Sequence, residues 1–274
     1  MAGMEWQQIA EFAIYLIVAG AFSGFLAGLF GIGGGTVLVP AFYQVFGAVG
    51  IDDAVRIQLS VGSSLALVAA TSWRSLAAHR KRGIVDEELL RSFRISVPFG
   101  VLIATLLLSS ISSYGLRAIF AAVCFAIAAK LLFGRDSWRL GTDIPQNPIR
   151  GIVGTIIGFL STLMGIGGGV LNNTFMTSYG RPIHKAVATS AGVGLLIAIP
   201  GVIGYVWAGW QKAGLPLLST GYVNWLAVTL VLPLSLYVTP MGVKVAHALP
   251  KRQLEASLGL YLLSVAVRFI WTLV

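Results

Sequence analysis

The chain has 274 residues, of which 57% are hydrophobic and only 11% charged, with a net charge of +9. A soluble domain carries about 25% charged residues, so this composition excludes an ordinary soluble fold and points to helices that cross a bilayer. The apolar runs are continuous, which excludes an alternating β-barrel, and the cations sit in short loops rather than on the exposed basic face that nucleic acid requires.

Ten apolar segments follow one another: Ile9–Phe30, Thr36–Phe46, Val55–Ala78, Phe93–Ser110, Leu116–Phe133, Ile149–Met164, Val170–Ser178, Ala186–Ala208, Tyr222–Ala246 and Leu254–Trp271. The most polar connector, Arg135 to Pro148, divides the chain into residues 1–134 and 149–274. Those halves repeat one another. GFLAGLFGIGGG, Gly24–Gly35, and GFLSTLMGIGGG, Gly158–Gly169, agree at nine of twelve positions at an offset of 134. Ser63-Ser64 matches Thr189-Ser190, Asp86 matches Asn224, and Lys130 matches Arg268. Each half is then a glycine-broken pair of segments followed by three longer helices.

The arm Thr36–Phe46 has 11 residues. That is about 16 Å of helix at 1.5 Å per residue, too short for a core about 30 Å thick. Each broken pair is therefore expected to be a re-entrant hairpin. Three full crossings per half, an odd number, invert the second half. Loop charge agrees: His79-Arg-Lys-Arg82 is expected to be cytoplasmic, while its counterpart, Gly209 to Thr220, holds only Lys212. The preferred topology has seven effective crossings, both termini outside and a cytoplasmic connector; the arm Ile9–Phe30 is long enough to span, so eight crossings is the alternative. The fold class is thus all-α, a polytopic helical membrane protein of two inverted repeats.

The doubled break is also the candidate site. Three glycines in a row break a helix, and lipid cannot satisfy the freed peptide groups, so such a break must line a cavity or pack inside protein. Paired breaks in two repeats are the best sequence pointer to a transporter's substrate site. The short helices after them begin at Gly33, Gly34, Gly35 and Thr36, and at Gly167, Gly168 and Gly169. A helix N-terminus presents open N–H groups and about half a positive charge, so two facing ends suit a tetrahedral anion. Asn172 and Asn173 lie within a turn of the second break, and Ser64 and Ser190 are matched hydroxyls beyond the breaks. These are the expected substrate-binding residues. Gln58, His184, Lys130 and Arg268 are weaker candidates, for electrostatic attraction or gating. Gly20, Gly24 and Gly28, spaced by four, and Gly154 and Gly158 suit close helix packing instead.

Absences narrow the chemistry. All ten acids lie in loops or near segment ends, which disfavours a carboxylate proton relay. No metal-ligand cluster or nucleophile triad is visible, and the lone Cys124 excludes an intrachain disulfide. The chain is not read as an enzyme, and no cofactor, metal or nucleic acid is expected.

In GLFGIGGGTVLVP (Gly28–Pro40), GIGGGVLNN (Gly165–Asn173) and HKAVATSAGVG (His184–Gly194) the chain resembles the sulfite exporter TauE/SafE family, also called TSUP permeases. The resemblance implies a secondary transporter in the cytoplasmic membrane of a prokaryote. It implies sulfur-containing anions such as sulfite, sulfoacetate and other organosulfonates or thiosulfate, moved in or out by alternating access. The alternative is a channel-like pore or a structural membrane subunit. Expected partners are the small anion, the lipid bilayer and a second copy in a homodimer.

Overall fold

The computed structural model describes residues 6–30, 34–134 and 140–273. Among them are ten helices: α1 Trp6–Phe30, α2 Gly35–Ala48, α3 Asp53–Lys81, α4 Glu87–Leu108, α5 Ser113–Phe133, α6 Ile149–Met164, α7 Gly169–Ser178, α8 Ile183–Ala208, α9 Trp225–Ala248 and α10 Lys251–Trp271. A two-residue ladder, β1 Ser219–Thr220 on β2 Val223–Asn224, precedes α9.

Caps place several helix starts ahead of the apolar runs. Asp52 accepts from the Ala54 amide at 2.8 Å, Asp86 from Leu89 at 3.2 Å and Ser112 from Gly115 at 3.1 Å. Each satisfies a first-turn N–H that the helix leaves open. The helices expected from Phe93 and Leu116 consequently start at Glu87 and Ser113. The reverse happens at α9. Tyr222 to Asn224 belong to the turn and ladder, and Asn224 Oδ1 accepts from the Ala227 amide at 2.8 Å.

Among the described residues six helices, three in each half, are long and apolar enough to span a membrane: α3, α4, α5, α8, α9 and α10. Large apolar side chains such as Phe99, Leu102, Phe125, Ile203, Tyr237 and Leu260 are exposed on them, as a lipid-facing surface requires. The chain is a polytopic helical membrane protein. The arms after the breaks are short, 14 residues in α2 and 10 in α7, while α1 has 25.

Packing pairs each half with the other. Helix α3 runs antiparallel to α8: Gly62 meets Tyr205, Leu65 meets Gly201 and Ser72 meets Gly194. Helix α5 runs antiparallel to α10, with the Phe120 and Phe269 rings 4.9 Å apart and Arg252 donating to the Leu132 carbonyl. Helix α1 runs parallel to α9, Gly20 on Val231 and Gly24 on Ser235. Helix α6 runs parallel to α4, Gly154 on Phe93 and Gly158 on Val97. A Cβ on Gly24 would sit 2.6 Å from Ser235 Cα, and one on Gly158 2.2 Å from the Val97 carbonyl oxygen. At Gly24 and Gly158 only glycine admits that approach, and all four glycines lie at helix contacts.

Candidate functional site

The second break is built by two left-handed glycines. Gly165, φ 65°, ends α6, and the Ile166 amide turns back onto the Ser161 carbonyl at 3.0 Å. This reversal satisfies an end carbonyl and needs a residue without a Cβ. Gly168, φ 69°, then opens α7, and Gly34, φ 79°, opens α2 in the same way. Neither offers a side chain to the first-turn amides behind it. Both short helices therefore begin with open N–H groups, as an anion cradle needs.

The two breaks touch. A Cβ on Gly35 would lie 2.5 Å from the Gly165 carbonyl oxygen and 2.6 Å from Ile166 Cα. From the middle of α3, Ser64 Oγ donates to that same Gly165 carbonyl at 2.9 Å. Gly167 packs beside Val68 of α3 and Gly194 of α8, and Gly168 beside Val193 and Ile197. Gly34, Gly35, Thr36, Ser64, Gly167, Gly168, Gly169, Asn172, Asn173 and Ser190 are all buried. Gly33 lies outside the described residues.

A second polar group adjoins the break. Asn172 Nδ2 donates to Ser190 Oγ at 2.7 Å, and Ser190 Oγ donates to Asn173 Oδ1 at 2.6 Å. Asn172 Nδ2 also lies 3.4 Å from Met176 Sδ. Three fully buried polar atoms at the breaks have no partner: Thr36 Oγ1 in the first turn of α2, Asn172 Oδ1 in the first turn of α7 and Ser161 Oγ in the last turn of α6. A buried polar group left unmatched costs about 1–3 kcal/mol, so three at one place require a reason.

The structure sorts the other candidates. Ser63 Oγ accepts from the Asn224 amide at 3.0 Å, and Thr189 Oγ1 from the Asp86 amide at 2.9 Å. These matched hydroxyls hold the caps of α9 and α4, each in the opposite half. The four electrostatic candidates lie away from the breaks. Gln58 Oε1 accepts from Ser113 at 2.9 Å at the start of α5. His184 is exposed in the first turn of α8. Lys130 donates to Ser178 Oγ at 2.8 Å, at the far end of α7 from its break. Arg268 lines a surface groove with Leu260, Leu263, Ser264, Val267 and Trp271.

Among the described residues no cluster of His, Cys, Asp or Glu could hold a metal. The one buried carboxylate there is Asp86, at the cap of α4 and beside Lys185 Nζ at 3.1 Å. Its burial opposes charge, but the Leu89 amide and the Lys185 ammonium outweigh it and hold the carboxyl below the usual range. Sequence reasoning missed Ser161 and Gly165. Ser161 replaces Ala27 within the repeated phrase, and a polar residue where the copy is apolar was the available signal.

Comparison with known proteins places this architecture. The family description "Sulfite exporter TauE/SafE" matches residues 16–269. The chain belongs to this family. A "Probable membrane transporter protein" of Haemophilus influenzae is 30% identical over 257 residues, covering 93% of this chain and 97% of its own. One from Methanocaldococcus jannaschii is 30% identical over 246 residues, covering 89% and 90%. "Probable membrane transporter protein YunE" of Bacillus subtilis is 24% identical over 280 residues, covering 94% and 97%. No solved structure matches the chain. The protein is a membrane transporter of the TauE/SafE type.

Proposed function

We propose that this TauE/SafE protein is a secondary transporter of small sulfur-containing anions, sulfite or an organosulfonate, in the cytoplasmic membrane of a prokaryote. The observation that carries the reading is that the uncapped start of α2 at Gly35 packs against the second break at Gly165, three residues before the uncapped start of α7, with Thr36 Oγ1, Ser161 Oγ and Asn172 Oδ1 buried and unpartnered in the adjoining turns. Open amides supply positive potential without a fixed charge. Each helix end contributes about 0.3–2 kcal/mol to holding an anion. Two ends alone would therefore give no better than about millimolar binding, and direct N–H bonds must supply the rest. Such binding is compatible with release.

The Asn172–Ser190–Asn173 chain adapts to charge. As it stands, Asn172 faces the break with an unpartnered oxygen. Turning both amides reverses the chain: Asn173 Nδ2 donates to Ser190, and Ser190 donates to Asn172 Oδ1. The reversal frees Asn172 Nδ2 to donate to the anion at the expense of its weak contact with sulfur.

We infer further that residues 1–134 and 149–274 are inverted repeats, joined by a cytoplasmic connector. Support comes from equivalent helices running antiparallel, α3 against α8 and α5 against α10. Support comes equally from exchanged contacts: Gly20–Val231 corresponds to Gly154–Phe93, and Asn224–Ser63 to Asp86–Thr189. Inversion makes the inward- and outward-facing states near mirror images, and alternating access follows from rocking about the breaks. A static pore fits less well, because the tips are in contact.

The decisive experiment is uptake of radiolabelled sulfite, sulfoacetate and sulfate into proteoliposomes. Saturable flux of a sulfur anion, lost in Asn172→Leu, is expected. Equal, unsaturable flux of all three would overturn the reading.

A further inference from the structure

We propose a binding site for an anionic phospholipid on the membrane side of α7, with the lipid phosphate on Lys130 and one acyl chain between α5, α6 and α7. Helix α7 has only ten residues, and beside it lies a groove of about 220 Å³. Val153, Ile156 and Leu160 of α6, Phe175 of α7 and Leu140 of the connector line it. Ile156 is half exposed, so the groove opens toward the surrounding lipid.

Lys130 and Ser178 are polar residues in the lining of this largely apolar slot. The Lys130 ammonium donates to Ser178 Oγ at 2.8 Å, and no carboxylate pairs with it among the described residues. The nearest cation in the facing helix, Arg252, is already bonded to the Leu131 and Leu132 carbonyls and does not line the groove, so Lys130 is the cation the groove offers. Basic pockets between membrane helices recognise lipid head groups in this manner. A cation joined to an aliphatic slot is complementary to a molecule with an anionic head and a hydrocarbon tail. A tailless anion would leave the apolar walls uncovered.

The groove is separate from the candidate transport site. It lies along Leu171, Thr174, Phe175 and Ser178, whereas Asn172 and Ser190 meet on the other side of α7. A bound lipid would brace α7 against α5 and so bias the hairpin.

The test uses the full chain purified in mild detergent, with phosphatidylglycerol and phosphatidylcholine of identical acyl chains added in turn, read by native mass spectrometry. Wild type should retain the glycerol lipid about fivefold over the choline lipid, the effect of one cation on an anionic head. Lys130→Gln, which keeps a donor for Ser178, should bring the ratio to about one, and Lys130→Arg should restore it. Val153→Trp, which fills the slot, should lower retention of both lipids. A ratio of one in wild type, or an unchanged ratio in Lys130→Gln, overturns the proposal. Displacement of the lipid by equimolar glycerol phosphate would assign the site to free phosphate and overturn it equally.

Discussion

Gly35→Ala tests whether the two breaks meet. The new Cβ would lie 2.5 Å from the Gly165 oxygen and 2.6 Å from Ile166 Cα, with Gly165 C at 3.2 Å. The first two are about 1 Å inside ordinary contact. All three atoms are backbone, so no side chain can swing aside. Gly35 is the first residue of α2 and carries no positive φ, so the substitution adds bulk without backbone strain. Overpacking of this kind costs about 1–3 kcal/mol. At about 2–4 °C per kcal/mol, the thermal midpoint in detergent should fall by several degrees. Sulfite flux should fall with it, because the wedge holds the tips apart. Gly151→Ala is the control: its Cβ would meet only Asn147 Oδ1, at 3.8 Å, within helix α6. That variant should be neutral or up to about 1 kcal/mol more stable. An unchanged midpoint and unchanged flux in Gly35→Ala would refute tip-to-tip contact in the membrane.

Three further substitutions separate the site from the scaffold. Thr36→Val keeps the shape and removes an unpartnered hydroxyl; stability should hold or rise by up to about 1 kcal/mol while anion affinity drops severalfold, and unchanged affinity would return Thr36 to the core. Ser190→Ala strips the shared partner of Asn172 and Asn173, and should cost about 1–3 kcal/mol and weaken flux together. Ser63→Ala orphans the Asn224 amide and should lower the thermal midpoint by an equivalent of about 1–3 kcal/mol with KM unchanged; a raised KM would place Ser63 at the solute.

The repeat and the site were legible to different depths. The break and the burial of its glycines, Asn172 and Ser190 follow from residue types that lipid would otherwise penalise, whereas the hydrogen bond between Asn172 and Ser190 is no part of that reading. What the sequence hid is which matched hydroxyls face the break. Ser63 and Ser64 are neighbours on one helix, yet a turn of about 100° sends one to the Asn224 cap and the other to Gly165. Only the crossing of α3 with α8 decides between them. Lys130 and Arg268 were legible as cations near helix ends; Lys130 meets the far end of the short α7 at Ser178, and Arg268 lies on a surface groove of α10. Helix starts at Glu87 and Ser113 escaped the apolar pattern because caps, not hydrophobicity, determine them.

Asp86 and Asn224 occupy equivalent caps, and only one carries charge. Asp86 is held ionised by the Leu89 amide and Lys185 against its own burial, so its folded pKa lies below the unfolded one. A depressed carboxylate contributes stability that is complete above the unfolded pKa of about 4 and fades as pH falls through the folded value. Asp86→Asn keeps the cap acceptor, as Asn224 does, and gives up the charge. At pH 7 the variant should be less stable by about 0.5–1.5 kcal/mol, since Lys185 is partly exposed and the pair is screened. Thermal midpoints of the two proteins should converge as pH drops below about 4. Because Asp86 also ties its own half to Thr189 of the other through its backbone amide, the same charge sits at the joint between halves. A rate of sulfite exchange that follows the midpoint gap with pH would place that joint on the path of rocking. A gap that widens toward acid would mean that Asp86 is stabilised in its protonated form, and the assignment of Lys185 as its partner would fail.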